Sequence, residues 1–146
     1  MYITARTEEK TSYKPIKLVT PMLYTILKSK IINARITELR PETGESLMID
    51  RDLLDLVDLA PFEKVSVLNS VIGRQYETHV IEGPRQSRCF VLCGHAAQPG
   101  RIGDAVTISA YIQLAKEELK THRPKIAAYD EDKNDFTMIG GEDATE

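Results

Sequence analysis

Gly44-Glu-Ser-Leu-Met-Ile-Asp-Arg-Asp-Leu-Leu-Asp-Leu-Val-Asp-Leu-Ala-Pro61 changes its hydrophobic period halfway along, and that change decides how the rest of the chain is read. Ser46 to Ile49 is a short apolar run of strand type that follows a glycine. Asp50 then offers a carboxylate as helix cap, apolar residues recur at helical spacing, and Pro61 is the stop. A strand therefore passes directly into one short helix.

Outward from this segment, the other apolar runs are again short and β-like: Ile31 to Leu39, Lys64 to Leu68, Tyr76 to Ile81, Arg88 to Cys93 and Ala105 to Ile112. Gly, Pro, Asn or acidic residues bound each of them. Strands this short and this closely spaced predict a small, mainly β barrel with one or two short helices. A second helix is expected over Gln113 to His122, where Ala115 to Lys120 are good helix formers with no β-branched residue. Thr20 to Ser29 reads equally as a helix start or a strand. Residues 1 to about 20 and Asp130 to Glu146 are charged and aperiodic and read as tails.

The 146 residues suffice for one compact domain with its own core. The net charge of -3 is dispersed, and no Lys/Arg cluster offers a footprint for a phosphate backbone, so nucleic acid is not an expected partner. Charges interrupt every apolar stretch, and residues 1–17 lack an apolar signal core. No membrane partner and a cytoplasmic location are the expectation. Cys89 and Cys93, four apart on a presumed strand, would share a face about 13 Å apart, beyond disulfide reach, and are read as reduced, buried thiols.

Gly-rich phosphate loops, nucleophile elbows and metal-ligand spacings are missing from the sequence. His79, His95 and His122 lie far apart, and no metal site is expected. On residue chemistry alone Ser46 is a turn serine, Lys30 a solvated charge, Thr78 a β-branched strand residue and His79 a structural histidine.

The order of several motifs says more. Lys30, Gly44-Glu-Ser-Leu-Met-Ile-Asp50, Gly73-Arg-Gln-Tyr-Glu-Thr-His79, Ser87-Arg88, Cys93-Gly-His-Ala-Ala97, Gly103-Asp104 and Arg123-Pro124 follow one another in a sequence that resembles the aspartate 1-decarboxylase family, from about Met22 to about Asn134. The resemblance implies a double-psi β-barrel over residues 22–136, between an N-terminal extension (1–21) and an acidic tail (137–146). It also implies a homotetramer with active sites between subunits, and a zymogen that cuts itself between Glu45 and Ser46, with or without a maturation factor. The Ser46 hydroxyl would attack the Glu45 carbonyl. Elimination and hydrolysis would leave a pyruvoyl group on the new N-terminus, the self-made cofactor that forms a Schiff base with an amino-acid substrate. Further roles implied are Thr78 as donor to the developing oxyanion, Lys30 as the positive group for a substrate carboxylate, and Gly94, His95 and Ala96 as pocket wall.

Five positions depart from the family pattern. Glu45 replaces the usual glycine, raising the question of a positive φ that glutamate resists. Gln75 stands where a substrate-binding arginine is usual, and Arg74 beside it would point to the opposite strand face. His79 replaces a tyrosine proton donor, a role imidazole can fill near neutrality. Cys93 and His95 replace an asparagine and an alanine and narrow the pocket. The expected activity is decarboxylation of L-aspartate to β-alanine and carbon dioxide, supplying pantothenate and coenzyme A synthesis. The alternatives are a diverged pyruvoyl decarboxylase for another amino acid, or an unprocessed barrel that binds a partner or metabolite.

Overall fold

The computed structural model describes residues 20–140. The expectations for residues 1–19 and 141–146 lie outside the described residues. Among the described residues nine strands run in the order β1 (Leu23–Arg35), β2 (Glu38–Arg40), β3 (Ser46–Asp50), β4 (Lys64–Asn69), β5 (Arg74–Gly83), β6 (Phe90–Cys93), β7 (Ala105–Ala115), β8 (Lys125–Asp130) and β9 (Asp135–Gly140). Among the described residues one α-helix, α1 (Arg51–Val57), follows β3 without a loop. The strands form one sheet in the spatial order β2-β6-β3-β5-β4-β7-β1-β8-β9. Parallel pairs (β2/β6, β3/β5, β1/β8) are interspersed among antiparallel ones in the mainly β, double-psi barrel that the family resemblance implies.

Alternation along β3, β4, β5 and β7 turns one set of apolar residues inward. Leu47 and Ile49 of β3, Val65 and Val67 of β4, Val80 of β5 and Val106 and Ile108 of β7 are all buried in one core with Ile31, Phe90 and Leu92. Each such side chain contributes about 1.5–3 kcal/mol by leaving water. Helix α1 adds Leu53, Leu54 and Val57 to that core. Asp50 caps it through the Asp52 N–H at 2.8 Å, and Asp58 ends it in the left-handed region at φ 62°.

Asp50 also organises the neighbouring loop. It is completely buried and accepts from the N–H groups of Gln86 (3.1 Å) and Arg88 (2.7 Å) and from the Arg88 guanidinium (3.1 Å). Arg88 reaches on to Asp135 at the start of β9 (2.8 Å), so one buried carboxylate ties β3, α1, the 84–88 loop and the last strand together.

Several local expectations are corrected. The run Ile31 to Leu39 is two strands. Ile36 turns into the core, and the N–H groups of Ile36 and Thr37 pair with Asp104 and Phe90. The ambiguous stretch before it is strand from Leu23 onward, paired with β7. The helix expected over Gln113 to His122 is not formed. Gln113, Leu114 and Ala115 continue β7 opposite Thr25, Tyr24 and Leu23, leaving only a 3-10 turn at Lys116–Lys120. Too few residues remain to nucleate an α-helix, and strand pairing overrides propensity. The stretch read as a tail from Asp130 is ordered to Gly140, because β9 pairs with β8 and its Phe136 packs on the core. Cys89 precedes β6 instead of lying on it and is only half-buried; Cys93 is buried, and both are free thiols.

Candidate active site

Ser46 is the first residue of β3, paired with Cys93 of β6 and 8% exposed. Its Oγ donates to the Gly44 carbonyl at 3.3 Å. It opens on a cleft of about 320 Å³, lined also by Arg40, Glu45, Met48, His79 and Cys93. The parallel register of β3 on β5 matches Leu47 with Val80. Continued backward, it runs from Ser46 toward His79 and from Glu45 toward Thr78. Sequence positions more than thirty apart thus meet at the Glu45–Ser46 peptide.

The two faces of β5 divide the candidate residues. Val80 is in the core, so Arg74, Tyr76 and Thr78 share the inner face, while Gln75, Glu77 and His79 share the outer one. Thr78 Oγ1 is buried and has no hydrogen-bond partner, and the same is true of the Tyr76 hydroxyl two residues earlier. Two unpartnered hydroxyls on one strand face are costly to bury and available as donors. Burial pushes the Tyr76 phenol up to about 12, and the Glu45 charge adds to the shift while Arg74 opposes it. Sequence reasoning missed Tyr76. The available signal was its position two residues before Thr78 on a strand of period 2. Arg74 lies over the Tyr76 ring at 5.8 Å and donates to the Gln98 carbonyl, away from Gln75 as expected.

On the other wall, Gly94 has a φ of 95°, open to glycine alone, and its N–H donates to the Arg40 carbonyl at 2.9 Å. The Glu45 carboxylate lies against the Gly94 α-carbon, where any side chain would collide with it. Both its oxygens accept from the Ala96 N–H, at 3.2 and 3.3 Å. Glu45 itself is not among the positive-φ residues, so the strain raised by replacing glycine does not arise. His95 begins the 3-10 turn His95–Ala97 and is exposed.

Lys30 and Gln75 are elsewhere. Lys30 of β1 pairs with Ser109 of β7, and Ser109 with Ser66 of β4, to which Gln75 donates at 2.7 Å. These residues form a polar row on the outer sheet face beside a second hollow of about 360 Å³ lined by Ser66, Glu77, Ser109 and Tyr111. Within one chain they do not reach the Ser46 cleft. Among the described residues no helix is long and apolar enough to cross a membrane.

The sequence model of the aspartate decarboxylase family matches residues 22–136. The aspartate 1-decarboxylase of Halalkalibacterium halodurans is 39% identical over 124 residues, covering 85% of this chain and 98% of its own. That of Staphylococcus aureus strain Newman is 42% identical over 118 residues, covering 81% and 93%.

Proposed function

Because the chain belongs to the aspartate decarboxylase family, we propose that it is a pyruvoyl-dependent carboxy-lyase that converts L-aspartate to β-alanine and carbon dioxide after cutting itself at Glu45–Ser46. The observation that carries this reading is the cleft that joins Ser46, its scissile peptide and His79.

In the self-cleavage step the Ser46 Oγ bonds to the Glu45 carbonyl carbon, the C–N bond breaks, and the hydroxyl proton passes to the freed amine. Elimination across the Ser46 Cα–Cβ bond then releases Glu45 as a carboxylate, and water replaces nitrogen, with loss of ammonia. The buried hydroxyl of Thr78 is the fitting donor for the oxyanion of the first step, since it has no competing partner. The residues fit the group so produced: Ser46 is held by β6 on one side and faces His79 in an open cleft. A pyruvoyl group supplies a ketone that condenses with the substrate amine and accepts the electron pair left when carbon dioxide departs. His79 returns a proton to the substrate carbon, Gly94, His95 and Ala96 form the wall, and Lys30 and Gln75 serve the substrate carboxylates.

This last assignment requires a second copy of the chain. Lys30 and Gln75 stand on the outer sheet face, which also exposes Leu68 and Tyr111. A homotetramer with sites between subunits brings such a face against a neighbour's cleft. The catalytic unit is residues 22–136, with 1–21 as an extension and the acidic end as a tail. The enzyme works in the cytoplasm, and its β-alanine supplies pantothenate synthesis.

The test is intact mass under denaturing conditions after incubation at neutral pH, followed by carbon dioxide release from aspartate. Fragments 1–45 and 46–146, the second carrying a pyruvoyl end, and activity only in the cleaved sample are the expected results. An uncut chain that decarboxylates aspartate, or one that remains whole and inert, would overturn the reading.

A further inference from the structure

We propose that the Glu45 carboxylate is a brake on self-cleavage, acting through its negative charge beside the carbonyl that Ser46 must attack. The inference rests on the processing reading above. Glutamate at this position is not inert. Its carboxylate is held by the Ala96 N–H against the α-carbon of Gly94, a residue whose φ of 95° and lack of a side chain keep that seat open. The seat fixes a full negative charge on the residue whose own carbonyl becomes the oxyanion when the Oγ–C bond forms.

Within a single glutamate the two centres are roughly 5 Å apart, so the charges repel throughout the step. Glu45 is exposed, and water screens the repulsion to an effect on the order of ten-fold in rate instead of hundreds. The resting hydroxyl agrees with a restrained site: Ser46 Oγ donates to the Gly44 carbonyl at 3.3 Å, one residue away from its target. Among the described residues neither neighbouring guanidinium forms an ion pair with Glu45: Arg40 pairs with Glu38 (2.6 Å) and Arg74 donates to the Gln98 carbonyl. The Glu45 charge also reaches Tyr76, so its field extends into the inner face where the donors lie. Glu45 is therefore a positioning residue that sets when the chain matures, and a partner that neutralises or lifts its carboxylate would speed maturation.

The test compares self-cleavage rates, by intact mass, of the full-length protein and the Glu45→Gln, Glu45→Asp and Glu45→Gly variants, with thermal unfolding as a check on folding. A charge brake predicts that Gln and Gly cleave at least five-fold faster than the natural chain while Asp stays slow. If the side chain acted only as a tether, Gln would match Glu, and Asp and Gly would group together; that pattern overturns the proposal and leaves the processing reading standing. Cleavage in none of the four chains overturns both.

Discussion

Replacing Asp50 by asparagine preserves size and shape and changes only what one side of the group can accept. In the native chain Oδ1 receives the N–H groups of Asp52 (2.8 Å) and Gln86 (3.1 Å), while Oδ2 receives the Arg88 N–H (2.7 Å) and guanidinium (3.1 Å). In Asp50→Asn the remaining oxygen keeps the first pair, and an NH₂ donor is set against the second. The half-exposed guanidinium can turn to water and to Asp135, so the main cost is the Arg88 N–H left facing a donor. Such an unpaired group costs about 1–3 kcal/mol, and loss of the charge-assisted bonds brings the total to roughly 2–4 kcal/mol. For a chain of this size that is a fall of roughly 4–16 °C in Tm. The measurement is differential scanning calorimetry of both chains on a Ser46→Ala background, which keeps them continuous. A loss below about 1 kcal/mol would refute the reasoning.

The same residue predicts a pH dependence. Burial pushes the Asp50 carboxyl up, but the N–H groups of Arg88 and Asp52, the Arg88 guanidinium and the Gln86 N–H outweigh it and hold the group below the usual carboxylate range. A depressed folded value means stability that is fully present above the unfolded value near ~3.9 and is lost as pH falls through the folded one. Asp50→Asn lacks this component, so its stability gap to the natural chain narrows below about pH 4. A gap that stays constant down to about pH 2 contradicts the assignment.

Thr78→Val removes a buried hydroxyl that has no partner, at nearly constant volume, and should leave stability unchanged or raise it by up to about 1 kcal/mol in urea melts while slowing self-cleavage by about 100-fold. His79→Gln should still produce both fragments, with kcat on aspartate lowered by about 100-fold or more and KM little changed; equal kcat would remove His79 from proton transfer. Gln75→Arg, at an exposed position, should change stability by less than about 0.5 kcal/mol and lower KM for aspartate several-fold, read from initial rates at varied substrate.

The β runs, the strand-to-helix passage at Asp50 and the one-domain size were legible in the sequence, because period and capping are local properties of neighbouring residues. The order of motifs around Ser46 pointed to the family. Other features depend on partners far along the chain. Gln113–Ala115 is strand because Leu23–Thr25 lies beside it, and Asp135–Gly140 is ordered because β8 offers an edge and Arg88 an ion pair. The seating of Glu45 on the Ala96 N–H, the unpartnered Tyr76 hydroxyl and the separation of Lys30 and Gln75 from the Ser46 cleft belong to the same class. Propensity and period fix which way each segment tends; the hydrogen bonds between distant strands, which no local pattern encodes, decide which side chains meet.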